Sequence, residues 1–142
     1  MTYSIGEIAS MLSIPPSTLR YYDKEGLLPF VARSEGGQRI FDDSDYEKLK
    51  IIECLKKAGM PIKEIRRFIT LYMEGDATID QRLAMIINRQ EAVTAKIEEM
   101  KITLEALAYK RWYYELAKKA GTISMPRDMS EEELPVEFRR IR

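Results

Sequence analysis

The sequence predicts a mainly α-helical protein: a winged helix-turn-helix head followed by a long coiled-coil dimerisation helix. Three observations carry that expectation. Two short amphipathic segments, residues 4–12 and 16–25, flank a turn containing Pro15. Apolar pairs at Phe30-Val31 and Ile40-Phe41 then bracket a Gly36-Gly37 turn. From Ile79 to Leu107, apolar residues recur every 3.5 positions on average, the period of a coiled-coil seam.

In the first segment Ser4 is placed to cap a helix, and Glu7 stands three residues on, the spacing of a capping box. Ile5, Ile8, Ala9 and Leu12 follow the i, i+3, i+4, i+7 pattern of one buried face. Ser13-Ile14-Pro15-Pro16 breaks that helix. A proline at the first helical position suits a second helix ending before Gly26. On it Leu19 and Tyr22 face the core, whereas Ser17, Arg20, Tyr21 and Lys24 point away. Hydroxyls, cations and an aromatic on one exposed face suit a DNA groove. The same face reads equally well as a solvated surface.

The Gly-Gly turn predicts a β-hairpin with Arg33 and Arg39 on opposite arms, able to present guanidinium groups to phosphates. A helix follows, with Ser44 and Glu47 as a second capping box and Gly59 as its stop. Pro61 opens another, whose apolar side is Ile62, Ile65, Phe68, Ile69 and Tyr72. The turn at Glu74-Gly75-Asp76-Ala77 is the expected hinge.

Thr78 and Gln81 make a third capping box ahead of the longest element. Its seam reads Ile79, Leu83, Ile86, Gln90, Val93, Ile97, Met100, Leu104, Leu107, Arg111, of which eight are apolar. Run on to Gly121, this helix is roughly 60 Å long. It cannot fold its whole seam onto a head of such size, and the chain holds no second seam to pair with it. A second copy is therefore expected. Gln90 is the kind of polar seam residue that sets register. The expected organisation is a DNA-binding head at 1–74, a dimerisation helix at 75–121 and a tail at 122–142, the last loosely ordered or packed on the partner.

Composition excludes more than it identifies. The chain carries 23 basic and 23 acidic side chains, so the position of cations, not their sum, must argue for nucleic acid. There is no histidine and one cysteine. That leaves no disulfide framework, no histidine-based acid–base chemistry and no soft metal site. No phosphate loop or nucleophile elbow is present. Neither an enzyme nor a cofactor is expected. With no membrane span or signal pattern, a cytoplasmic protein is.

Taken together the motifs resemble the MerR family of transcription regulators. The resemblance runs from Tyr3-Ser-Ile-Gly-Glu-Ile-Ala through Thr18-Leu-Arg-Tyr-Tyr-Asp-Lys-Glu-Gly-Leu-Leu and Arg33-x-x-x-Gly37-x-Arg39. It continues through Ala58-Gly-Met-Pro-Ile-Lys-Glu-Ile into the long helix. It implies a homodimer with antiparallel long helices on a pseudo-palindromic operator in double-stranded promoter DNA. It further implies that Thr18, Arg20, Tyr21 and Tyr22 meet bases and backbone, with Arg33 and Arg39 on the backbone. Pro15 and Gln38 depart from the family pattern, standing where a serine or threonine and a tyrosine are common.

Such regulators act on RNA polymerase indirectly, by bending and untwisting an overlong promoter spacer at a cost of a few kcal/mol. Metal-sensing members carry cysteines near the end of the long helix, which this chain lacks, and few residues follow Gly121 to make a ligand domain. Cys54 remains as a candidate sensor. Lys50 and Lys57 share its helix face, an environment favouring thiolate, and the segment resembles the branch responding to aldehydes and other electrophiles. Three alternatives stand beside it: an inert core cysteine, a non-covalent ligand near Trp112, Tyr113 and Tyr114, and a signal-independent, excisionase-like DNA-bending factor.

Overall fold

The computed structural model describes residues 1–141. It divides into two compact units, Met1–Val93 and the segment from Thr94 onward.

In the first unit the elements run β1 (Thr2–Tyr3), α1 (Ile5–Met11), α2 (Pro16–Lys24), β2 (Ala32–Arg33), β3 (Arg39–Asp42), α3 (Asp43–Lys57), α4 (Ile62–Glu74) and the start of α5 (Ile79–Ala120). Ser4 caps α1 by accepting the Glu7 amide at 3.2 Å, one half of the expected capping box. Pro15 caps α2 with no side-chain hydrogen bond, so the family's hydroxyl contact is absent here. Pro16, lacking an N–H, opens the helix without leaving a donor orphaned.

Three helix ends share one geometry. After α1, Ser13 N donates to Ser10 O and Ile14 N to Ala9 O. After α2, Gly26 and Leu27 donate to Asp23 O and Tyr22 O, and after α3, Gly59 and Met60 donate to Lys56 O and Leu55 O. Each is a Schellman ending with the pivot residue left-handed. Gly26 and Gly59 take φ of 76° and 80°, while at 57° Ser13 does so with a side chain. This turn sets the angle between α1 and α2.

The sheet order is β1-β3-β2, both pairings antiparallel, with Tyr3 opposite Phe41 and Arg33 opposite Arg39. The hairpin is therefore as expected, but β1 is an addition. Two residues carry too short a pattern to mark a strand; β3 supplies the edge that orders them.

The α3 start differs from the expected Ser44–Glu47 box. Asp42 is the cap: its carboxylate accepts the Asp45 amide at 2.8 Å, and the Asp45 carboxylate accepts the Asp42 amide at 3.0 Å. Ser44 donates to Asp42 instead. Because β3 runs directly into α3, its last residue is the one left with an extended backbone, as a cap requires.

Thr78 is likewise no cap for α5. It is buried, 2.6 Å from the Leu71 carbonyl and 2.9 Å from that of Gly75, and it accepts from Arg82 Nε at 3.0 Å. Arg82 also donates to the Gly75 carbonyl. Further along, Arg89 meets Glu64 at 3.5 Å and Met85 packs against the core. The expected hinge at Gly75 thus lies inside the first compact unit. The core beneath α2 and the sheet is Ile8, Leu19, Tyr22, Leu27, Phe41, Leu49, Ile52 and Ile65, all fully buried.

In the second unit α5 continues to Ala120, and Gly121, at φ 73°, ends it. The tail is folded, and on its own chain: α6 (Ser124–Arg127) is followed by 3-10 turns at Glu131–Glu133 and Val136–Phe138. The Phe138 ring lies 5.7 Å from Tyr109 and 5.6 Å from Trp112. Leu134 is buried, and Arg140 meets Glu105 at 3.3 Å. At 100° per residue, Glu105, Tyr109 and Trp112 lie on the side of α5 away from Met100, Leu104 and Leu107. No helix among the described residues is long and apolar enough to cross a membrane.

Candidate nucleic-acid interface

The second helix presents the face its sequence requires. Leu19 and Tyr22 are buried, while Ser17, Arg20, Tyr21 and Lys24 are exposed and Thr18 is half-buried. Two contacts hold α2 in place. Arg66 of α4 donates from Nε to the Glu25 carbonyl at 2.7 Å and meets the Glu25 carboxylate at 3.4 Å. Tyr22 donates its hydroxyl to Glu53 of α3.

That second contact corrects one expectation. Tyr22 faces the core with no accessible surface, so it supports the exposed residues of α2 and is not one of them. Burial, reinforced by the Glu53 carboxylate, raises its phenol pKa well above the usual value.

The hairpin corrects another. Arg33 is half exposed; it donates to the Gly37 carbonyl at 2.8 Å and stands 3.6 Å from Asp23. Arg39, expected to be its equal on the backbone, is instead folded inward. It donates through Nε and Nη2 to the two carboxylate oxygens of Asp23 and through Nη1 to the Val31 carbonyl at 3.0 Å. The fork of a guanidinium matches a carboxylate edge, and Asp23, in the last turn of α2, supplies one.

Two participants escaped the sequence reading. Asp23 was hidden in a motif read for its cations and tyrosines. Lys56 of α3 places its ammonium 5.8 Å from the Tyr21 ring and 5.0 Å from that of Tyr22. Its position three residues after Glu53 was the available signal, since one helical turn puts both on the side that meets α2. The exposed cations around α2 are thus Arg20, Lys24, Arg33 and Lys56.

Cys54 is exposed on α3. Lys50, expected on the same face as Cys54, is 2.9 Å from Glu47 and lies over the Tyr46 ring. Of the aromatic cluster proposed as a ligand site, Trp112 is already in contact with Phe138 of the tail. The seam residues Ile79, Leu83, Ile86, Ile97, Met100, Leu104 and Leu107 are between 40% and 66% exposed, and Val93 is half-buried. That is an apolar row left about half uncovered by the described residues.

Two short helices in tight angular register, an exposed polar face and a cationic hairpin beside it define a winged helix-turn-helix protein. The chain belongs to the MerR HTH family of regulatory proteins: that family's model matches residues 3–71, and the companion MerR DNA-binding model matches 46–109. An HTH-type transcriptional regulator of Haemophilus influenzae is 43% identical over 87% of this chain and 91% of its own length. Among solved structures, HiNmlR, described as a MerR family regulator lacking the sensor domain and bound to promoter DNA, aligns with a TM-score of 0.78 at 42% identity. The alignment covers 88% of this chain and 99% of that one. A MerR family regulator from Bacillus thuringiensis aligns with a TM-score of 0.68 at 41% identity, over 83% of this chain and 99% of that one.

Proposed function

We propose that this MerR-family transcription regulator binds double-stranded promoter DNA as a homodimer and acts on RNA polymerase indirectly, by deforming the promoter spacer. The observation that carries the reading is the exposed face of α2. Ser17, Arg20, Tyr21 and Lys24 are aligned there beside the half-exposed Arg33, over a helix anchored from beneath by Tyr22 and Arg66. Kinship with HiNmlR, whose structure is of a promoter complex, supports it. The uncovered apolar row on α5 supports pairing with a second copy, since a seam of this length has a coiled-coil period.

The test has two arms. Arg20→Ala weakens binding to a preferred duplex by about 1–3 kcal/mol if it reads a base edge. Glutamate at Ile97 and Leu104 converts the sedimenting species from dimer to monomer and lowers affinity for the same duplex. A wild-type chain that sediments as a monomer at micromolar concentration refutes the dimer.

For the signal, exposure of Cys54 on α3 supports a thiol-reactive response. Cys54→Ser then keeps DNA binding and loses the promoter response to an aldehyde or quinone. An unchanged response moves the signal to a non-covalent site.

A further inference from the structure

The hairpin carries two arginines directly opposite each other, Arg33 and Arg39, and both face one carboxylate of α2, that of Asp23. Their environments differ sharply. The Arg39 side chain is 19% exposed and Arg33 53%. Arg39 spends three donors inside the protein, two on Asp23 and one on Val31. A bidentate guanidinium–carboxylate pair fixes orientation as well as distance. This one joins the last turn of α2, one helical turn beyond Arg20, to the strand that carries the wing.

We infer that Asp23 is a positioning residue for operator recognition: it withholds Arg39 from phosphate and uses it to lock the wing to the reading helix, leaving Arg33 as the phosphate-facing arginine of the pair. This rests on the DNA-binding reading above and adds to it a division of labour. Phosphate contacts set register and base contacts set sequence preference, so preference depends on holding the two sets at a constant spacing. Asp23 supplies that constraint. Its negative charge beside the groove-facing cations also disfavours indiscriminate attachment to phosphate.

The experiment compares affinity for a duplex selected by the wild-type protein from a randomised library with affinity for a scrambled duplex, each across a salt series. Every phosphate contact contributes about 0.9 to the slope of log affinity against log salt. Arg33→Gln flattens the scrambled-duplex slope by about 0.9, while Arg39→Gln leaves that slope unchanged and lowers the selected-to-scrambled ratio several-fold. Asp23→Asn frees Arg39, so it steepens the scrambled-duplex slope by about 0.9 and lowers the ratio. If Asp23→Asn unfolds the head, Arg39→Lys replaces it. A lysine keeps the charge but cannot span both carboxylate oxygens and Val31, so the ratio falls with the wild-type fold retained.

A flattened slope in Arg39→Gln overturns the inference, because Arg39 is then itself a phosphate contact. So does an unchanged slope or ratio in an Asp23→Asn protein that melts like the wild type. If the wild type prefers its selected duplex and Arg20→Ala loses that preference, such results refute the role of Asp23 alone. A wild-type protein that binds neither duplex refutes the DNA-binding reading and the inference together.

Discussion

Replacing Tyr22 by phenylalanine removes one oxygen from the point where α2 meets α3. The ring stays in the core, so no cavity opens and the transfer free energy of the side chain is nearly conserved. What is lost is the hydroxyl's donation to Glu53. Hydrogen bonds to charged acceptors contribute about 1.5–3 kcal/mol. Glu53 is only half-buried and takes water in exchange, so the loss falls at the low end, about 1.5 kcal/mol. For a domain of this size that lowers the melting temperature by roughly 5–10 °C.

The pH dependence gives a second, independent readout. The Tyr22 phenol titrates well above its ordinary value of 10.0 in the folded head, chiefly through burial and then through Glu53. A group whose folded pKa is raised contributes stability in full below its unfolded pKa, and that contribution is lost as pH rises past it. From neutral pH to about pH 10 the wild type's advantage over Tyr22→Phe is therefore constant, and it shrinks above that. Thermal melts of both proteins by circular dichroism, from neutral to alkaline pH, measure this directly. Coincident melts at neutral pH would show that the hydroxyl makes no net contribution. Parallel profiles through the alkaline range would show that Tyr22 titrates alike in folded and unfolded chains. Because Tyr22 is buried, the salt slope for DNA binding stays at the wild-type value.

The remaining predictions concern stability and the tail. Ser13→Gly relieves a left-handed residue at a turn whose two counterparts are glycines. The strain released, about 1–2 kcal/mol, outweighs the entropy that glycine costs, about 0.5–1 kcal/mol, so a denaturant melt shows a small gain. Thr78→Val removes the hydroxyl joining Leu71, Gly75 and Arg82. It leaves the Leu71 carbonyl short of a partner, a cost of about 1–3 kcal/mol, and hydrogen exchange rises around the Gly75 turn. Phe138→Ala uncovers Trp112, the chain's one tryptophan. Its emission shifts to the red while the sedimentation coefficient is unchanged, because the tail covers a different side of α5 from the seam.

Much of this protein was legible in the order of its residues, wherever the determining interactions are local or periodic. The amphipathic spacing of Ile8, Ala9, Leu19 and Tyr22 specified two helices and their buried sides. Gly26, Gly59 and Gly121 marked helix ends because only a left-handed residue completes them. The recurrence from Ile79 to Leu107 announced α5 because a helix repeats its geometry along its length. Even the exposed residues of α2 followed from helical phase. Other features are properties of contact between distant segments, and no periodicity encodes them. The α3 cap moved from Ser44 to Asp42 because a paired strand ends there. Arg39 turned inward because α2 placed a carboxylate edge opposite its fork, while Arg33, across the ladder, stayed half exposed. Thr78 became a tie inside the first unit, not a cap, because carbonyls from α4 and its following turn reach it. The tail lay down on Tyr109 and Trp112 because those rings lie together on a side of α5 away from the seam. A side chain's type and phase determine which partners it can take; which one it takes depends on what the fold brings within about 3 Å of it.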